Sequence, residues 1–210
     1  MTPSPGLTQS IVLGTVILAA GRSTRMGRPK LLLPWGSTSM LGHLLAQWQG
    51  LGAAQIAVVL GAAGPAMERE LDRLGFAARN RILNNAPERG MFSSIRCAAL
   101  WSGWKQTLTH WAIVLGDQPH LRPATLLSLV RFAAARPELV CQPARGARLR
   151  HPVVMPRNVF AQLRDSTAAD LKEFLATREV AGWESDDPGL DLDIDRPEDY
   201  QRALDLVSNA

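Results

Sequence analysis

Apolar residues along the chain recur in two rhythms. Largely continuous runs at 11–20, 55–60 and 111–115, bounded by glycine or proline, predict strands buried on both faces. Between them, apolar positions three and four apart predict helices. Ser37 or Ser39 caps one that runs to about Gly50, with Leu41, Leu44, Leu45 and Trp48 on its buried face. Pro65 opens a second, through Leu74, with Glu68, Glu70 and Asp72 turned outward. Ser93 caps a third, which carries Ile95, Ala98, Ala99 and Leu100 inward, and Pro123 starts a fourth through Ala135. Residues 79–83 form a shorter, more polar strand, while 61–64 read as a turn and 84–91 as a loop. Alternating strand and helix predict an α/β fold built on a doubly wound, mostly parallel sheet.

The second half keeps the rhythm less strictly. Leu139 to Cys141 is strand-like, Gln142 to Arg150 lapses into a basic loop, and His151 to Met155 is extended. Two extended pieces around a basic turn predict a small antiparallel hairpin projecting over the sheet's ligand edge. Helices follow at 157–163 and 167–177, the latter capped at Ser166 or Thr167 with Asp170 as the return partner of Thr167. An edge strand at 179–184 and a last helix from Pro197 to about Val207 complete the chain.

With 210 residues, 46% of them apolar, one core and one domain over 11–210 are expected, preceded by a flexible N-terminus at 1–10. No run is long enough for a membrane span, and the start lacks the basic residues of a cleaved signal. Cys97 and Cys141 lie far apart, which suits a reducing cytoplasm.

The net charge of +4 hides a division. The first acid is Glu68, and 13 of the 19 acids lie within residues 165–210, which are strongly acidic while the rest is strongly basic. Scattered arginines without a helix-turn-helix, zinc-finger spacing or aromatic RNA motif argue against nucleic acid. A basic polyphosphate cleft closed by an acidic tail accounts for the asymmetry better.

The cleft has a candidate. The first strand breaks at Gly21 into a loop with Ser23, Thr24 and Gly27, and with Arg22, Arg25, Arg28 and Lys30 as its only charges. Backbone N–H groups and fixed cations at the carboxyl end of a strand suit a polyphosphate. The spacing is neither that of a Walker A loop nor that of a dinucleotide fingerprint. Asp117, straight after an apolar strand, is either a turn or capping aspartate or a magnesium ligand. Asp193 and Asp195 share one face if extended, and Asp195 is also placed to cap the helix at Pro197. The loop with Asn84, Asn85, Gly90, Met91, Ser93 and Ser94 is either a turn into a helix or a surface that reads a base. His151 is either a hydrogen-bonded structural group or part of a site. No Ser-His-acid order or Gly-x-Ser-x-Gly elbow supports a hydrolase.

From Leu18 to Lys30 the sequence reads Leu-Ala-Ala-Gly-Arg-Ser-Thr-Arg-Met-Gly-Arg-Pro-Lys. It resembles, without a gap, the signature of the nucleotidyltransferases. Leu-Gly-Asp-Gln-Pro around Asp117 resembles the family's second signature, and Asp-Ile-Asp-Arg-Pro-Glu-Asp from Asp193 its closing motif. Asn84 to Ser94, with Gly90-Met91 and Ser93-Ser94, is similar to the base-recognition segment of the molybdenum cofactor cytidylyltransferase branch. His151-Pro152-Val153 is similar to that branch's acceptor-side motif, although Arg150 stands where the branch has glycine and Asp165 to Asp170 replace a Gly-Asp-x-Gly-Ala-Arg segment.

The resemblance implies a Rossmann-like three-layer α/β/α fold and transfer of a nucleotidyl group, with CTP favoured, to a molybdopterin-type acceptor with release of pyrophosphate. It implies that Lys30 and Arg25 hold the triphosphate and that Asp117 and Asp195 hold Mg2+. The nucleotide would lie against Leu18, Ala19, Ala20, Gly21, Lys30, Asn84, Asn85, Gly90, Met91, Ser93 and Ser94, and the acceptor against His151 and Pro152. A molybdoenzyme apoprotein would be an onward partner. Three other readings stay open: a sugar- or polyol-phosphate nucleotidyltransferase, a nicotinamide-dependent oxidoreductase relative, and a non-catalytic cofactor carrier.

Overall fold

The computed structural model describes residues 11–21, 23–61 and 65–208. The expected flexible segment 1–10, Arg22 and most of the turn at 61–64 lie outside the described residues. In chain order, β1 (Leu13–Ala19) leads through two short 3-10 turns to a two-stranded antiparallel ribbon, β2 (Pro34–Trp35) and β3 (Thr38–Ser39). There follow α1 (Met40–Gly50), β4 (Gln55–Leu60), α2 (Pro65–Arg73), β5 (Arg81–Leu83), α3 (Met91–Leu100), β6 (His110–Leu115) and α4 (Pro123–Ala134). The remainder is β7 (Val140–Arg145), β8 (Arg148–Leu149), β9 (Val153–Pro156), α5 (Arg157–Gln162), α6 (Leu171–Leu175), β10 (Val180–Glu184) and α7 (Pro197–Ser208).

The main sheet runs β10-β7-β9-β6-β1-β4-β5, with β8 paired to β7. β1 is parallel to both its neighbours, pairing Ile17 with Val58 on one side and with Val114 on the other. Only β9 and β8 run against their neighbours. Side chains alternate faces along a strand, and the core divides accordingly. Leu13, Ile17 and Ala19 join Leu44 and Trp48 of α1, Leu71 of α2 and Leu129 of α4. Val16 joins Ile95 of α3, Phe160 of α5 and Phe174 of α6 on the opposite face. The result is the expected three-layer α/β/α architecture with a mostly parallel sheet. A third cluster packs α7 and its lead-in against the ribbon through Trp35, Met40, Leu192, Ile194 and Ala203. That cluster fastens the acidic C-terminal segment to the basic loop after β1.

Several local expectations need correcting. Gln142 to Arg150 is not a loop: β7 continues to Arg145, turns at Gly146-Ala147, both with positive φ, and returns as β8. Two consecutive positive-φ residues give the tight turn that matches strand twist. The extended piece after His151 does not project over the sheet either. As β9 it inserts between β6 and β7. The helix expected at 167–177 is confined to Leu171–Leu175, because Asp170 is the cap: its Oδ1 accepts from Glu173 N at 2.7 Å, and Glu173 accepts from Ala169 N at 2.8 Å. α3 starts at Met91 after Gly90, so Ser93 lies inside the first turn and is not its cap. Of the two serines considered for α1, Ser39 is the cap, accepting from Gly42 N at 3.0 Å.

Candidate active site

β1, β4 and β6 end together on one edge of the sheet, at Ala19, Leu60 and Leu115. Two glycines let their exits approach. A Cβ on Gly116 would sit 2.6 Å from the carbonyl oxygen of Leu18, and one on Gly61 would sit 3.0 Å from that of Ala20. The edge opens into a cavity of about 720 Å3. Its walls include Leu18, Ala19, Ala20, Gly21 and Ser23 from β1 and its loop, with Lys30 and Asp117 at one end. Asn85, Pro87, Glu88, Gly90, Met91 and Ser94 form the facing wall.

Lys30 reaches that position because the loop folds back: its backbone N–H donates to Ser23 Oγ at 3.1 Å. Its Nζ then lies 2.8 Å from Asp117 Oδ2 and 3.0 Å from Asp195 Oδ1. Arg25 pairs with the other oxygen of Asp195 at 3.0 Å, from a largely exposed position. Burial opposes the ammonium charge of Lys30, but Asp117 and then Asp195 outweigh it and raise its pKa. The Asp195 segment is tied to the strand tip by Ile194 N, which donates to the carbonyl of Asp117 at 3.1 Å. Asp195 does not cap α7. Instead Asp199, inside the first turn of the helix, reaches back to accept from Asp195 N at 3.1 Å and Arg196 N at 2.9 Å, which leaves the Asp195 carboxylate to the site. Asp193 faces Gln118, whose Nε2 donates to it at 2.9 Å. Burial and the nearby Asp117 and Asp195 charges push the Asp193 carboxyl up.

Asp117 Oδ1 is buried and has no hydrogen-bond partner. An orphaned oxygen on a carboxylate that shares its lysine with a second carboxylate fits a hard divalent cation such as Mg2+ or Mn2+. Among the described residues no group of three or more His, Cys, Asp or Glu side chains is placed to hold a metal ion by itself. The two aspartates would therefore share such an ion with phosphate oxygens and water.

The facing wall is held from behind. Asn84 is buried; its Nδ2 donates to Ser93 Oγ at 2.8 Å and Ser94 Oγ at 2.9 Å, and its Oδ1 accepts from Ala86 N at 2.9 Å. Ser93 Oγ donates to Gly90 O at 2.7 Å. Asn84 and Ser93 thus brace the loop, while Asn85, Gly90, Met91 and Ser94 front the cavity. Pro87 and Glu88 also front it. Sequence reasoning passed over both, although a proline opening a short turn inside a polar loop was a usable signal. His151 and Pro152 are not among the cavity's walls. His151 Nδ1 lies 3.5 Å from Ile113 O, and burial lowers the pKa of its ring against the opposing pull of that carbonyl and of Asp117.

A family model described as the MobA-like NTP transferase domain matches residues 15–182. The chain belongs to this family. Its MobA-like domain is therefore that of a nucleotidyltransferase, and no helix among the described residues is long and apolar enough to cross a membrane. A molybdenum cofactor guanylyltransferase of Rhizobium johnstonii is 31% identical over 173 residues, 82% of this chain and 73% of that protein. The bifunctional protein GlmU of Parvibaculum lavamentivorans is 33% identical over 121 residues; the match covers 56% of this chain but only 26% of GlmU. Among solved structures, Rv0371c of Mycobacterium tuberculosis superposes with a TM-score of 0.71 at 26% identity, covering 94% of this chain and all of that one. Rv0371c has also been solved in complex with manganese, with a TM-score of 0.68, 26% identity and coverage of 92% and 98%.

Proposed function

We propose that this MobA-like domain, taken as one unit over 11–210, transfers the cytidylyl group of CTP to a phosphate of a molybdopterin-type acceptor and releases pyrophosphate. One observation carries the reading: a single cavity joins a wall of backbone from β1, a facing wall around Gly90-Met91, and a cation–carboxylate cluster at one end. The base would lie between the backbone of Ala19 and Ala20 and the segment from Asn85 to Ser94. Fixed backbone donors and acceptors distinguish cytosine from uracil, since the two exchange a donor for an acceptor at one edge. The triphosphate would extend toward Lys30 and Arg25. His151 and Pro152, beside β6 on the far side of Asp117, would face the acceptor.

In the reaction an acceptor phosphate oxygen attacks the α-phosphorus, the bond to the β-phosphate bridging oxygen breaks, and pyrophosphate departs with the electron pair. Such transfer depends on positioning and charge neutralisation more than on covalent catalysis. Lys30 is placed to turn from the carboxylates to the phosphate oxygens and to stabilise charge as it develops there. Arg25, mostly in solvent, would close over the same charge. Asp117 and Asp195 would hold the divalent ion, Mg2+ in the cell, which neutralises phosphate charge when bound. The manganese complex of Rv0371c supports a divalent requirement. A cytoplasmic setting suits the chemistry, and a molybdoenzyme apoprotein would be the natural recipient of the product.

The guanylyltransferase relative supports a second reading, in which GTP replaces CTP. Isothermal titration of the four triphosphates with Mg2+ separates the two. Tightest binding of CTP is expected. Tighter binding of GTP would overturn the cytidylyl assignment in favour of guanylyl transfer.

A further inference from the structure

One charge in the cavity has no part in the chemistry proposed above. Apart from Lys30 and Asp117, Glu88 is the only charged side chain among the described residues that line it. Its backbone is held firmly. Glu88 sits in a 3-10 turn, Pro87–Arg89, that a proline opens. Arg89 N and Gly90 N donate to the carbonyls of Ala86 and Pro87, both at 3.1 Å. Ala86 is fixed in turn, its N–H by Asn84 Oδ1 at 2.9 Å and its carbonyl by Ser93 Oγ at 3.2 Å. The carboxylate of Glu88 itself has no ion pair or hydrogen bond among the described residues, although Arg89 adjoins it in the chain. A free carboxylate on a fixed turn is available to a donor of the ligand.

The strand order β6-β1-β4-β5 sets the two ends of the cavity. Asp117, with Lys30 paired to it, follows β6. The Glu88 turn lies at the β4 end. Asn84 N donates to Leu60 O at 2.7 Å, and a Cβ on Gly61 would sit 3.0 Å from the Ala20 carbonyl and 3.4 Å from Pro87 Cγ. A nucleoside triphosphate presents base, ribose and phosphates in that order. With its phosphates at Lys30, the part that reaches the β4 end is the base. An ionised carboxylate only accepts hydrogen bonds, so what it can hold there is an N–H group. The amino group of cytosine supplies one. Uracil has a keto oxygen at the same position, and two acceptors face to face are both left unpaired.

We propose that Glu88 accepts a hydrogen bond from the exocyclic amino group of the bound base and so rejects the base that carries a keto oxygen instead. The inference rests on the nucleotidyl-transfer reading above and deepens it, adding one side-chain carboxylate to the backbone pattern that selects the base. Glu88 is a specificity residue on this account and takes no part in the transfer itself.

The test is titration calorimetry of CTP, UTP and dCTP with Mg2+ on wild type, Glu88→Ala and Glu88→Gln. Wild type should bind CTP at least about tenfold tighter than UTP. Glu88→Ala should bring the two within about threefold, and Glu88→Gln, whose amide can turn a donor or an acceptor to the base, should do the same. The ratio is the quantity to read, because removing a negative charge from a cavity that takes a triphosphate strengthens both affinities alike. The ratio of CTP to dCTP should stay as in wild type. If that ratio changes while the preference over UTP is kept, the carboxylate holds the ribose and the inference is overturned. Equal binding of CTP and UTP by wild type, or a preference that survives both substitutions, also overturns it and leaves nucleotidyl transfer standing. If GTP or ATP binds tighter than CTP, the cytidylyl assignment falls. The variants are then compared on that purine against ITP, which lacks its amino group. Collapse of the preference keeps Glu88 as the reader of the amino group, and its survival removes Glu88 from that role. If no triphosphate binds, the inference and the nucleotidyl-transfer reading fall together.

Discussion

Replacing Lys30 with methionine keeps an unbranched side chain, one atom shorter, and removes its charge. In the free protein that charge lies 2.8 Å from Asp117 and 3.0 Å from Asp195, with the lysine side chain 14% exposed and the carboxylates 21% and 35% exposed. Breaking a fully buried pair costs about 3–5 kcal/mol, and an exposed one contributes under about 1 kcal/mol. These partly solvated carboxylates fall between, so a loss of about 1–3 kcal/mol is expected. For a domain of this size that lowers Tm by roughly 2–10 °C. The same substitution empties the space between two carboxylates, so Mn2+ no longer competes with an ammonium. Affinity for Mn2+ without nucleotide should rise about tenfold, equivalent to about 1.4 kcal/mol. Mn2+ should then restore most of the lost Tm in the variant and little in wild type, since a ligand of the native state stabilises it. Titration of the free Mn2+ EPR signal, with thermal melts beside it, measures both effects. CTP affinity should fall in the same variant. If Lys30→Met binds Mn2+ no more tightly than wild type, Asp117 and Asp195 are an ion-pair scaffold and the metal assignment is refuted.

Asp117→Asn takes one of the two carboxylates from Lys30, so it should still fold, lower Tm by no more than Lys30→Met does, and reduce metal-dependent turnover by orders of magnitude; near-normal turnover would remove Asp117 from the site. Gly90→Val introduces a branched side chain at φ 88°, where a Cβ would meet no protein atom within 4 Å, so it should fold with a loss of about 1–3 kcal/mol yet lose CTP binding by titration calorimetry. Gly116→Ala drives a methyl against the Leu18 carbonyl and should destabilise by about 1–3 kcal/mol in denaturant melts, with weaker nucleotide binding because the β1 and β6 exits are forced apart. His110 is buried between Thr109 Oγ1 and Pro137 O, and burial lowers its pKa below the ordinary 6.5. The unfolded chain therefore takes up its proton first as pH falls, and stability declines below about pH 6.5. Melts of His110→Gln between pH 8 and 5 should show a shallower decline.

The parallel core was legible because β1, β4 and β6 are buried on both faces and bounded by glycine or proline, so composition alone marks them. β7 was legible only at its start, Leu139 to Cys141, since Gln142, Pro143 and Arg145 carry the marks of a loop. Pro143 has no N–H to give, and its place in the sheet is secured through its carbonyl, which accepts from Arg150 N at 2.8 Å. At 166–170 two capping patterns overlap in sequence. Asp170 prevails because the helix it starts presents Leu171, Phe174 and Leu175 to the core. In the site, Lys30, Asp117 and the Gly90 loop were legible through their motifs. The division of the loop was not: Asn84 and Ser93 face inward to brace it, and only the fold decides which polar side chain turns back and which turns out. The pairing of Arg145 and Arg150 with Asp191 was equally hidden, because those residues are more than 40 positions apart.

The lysine that lines the cavity meets its two carboxylates across very different lengths of chain, 87 residues to Asp117 and 165 to Asp195. During synthesis the first partner is in place well before the second has been made. At about 5–20 residues per second, several seconds separate them. Through that interval the nascent domain carries its basic loop and most of its sheet without the acidic stretch that balances them. A chain released early would keep the apolar strands and the basic loop but lack α7 and the Trp35–Ile194 packing that seats it. On the proposed reading, a chain stopped before Asp195 would lack one of the two carboxylates that would hold the metal, and would carry the basic loop without its acidic counterpart.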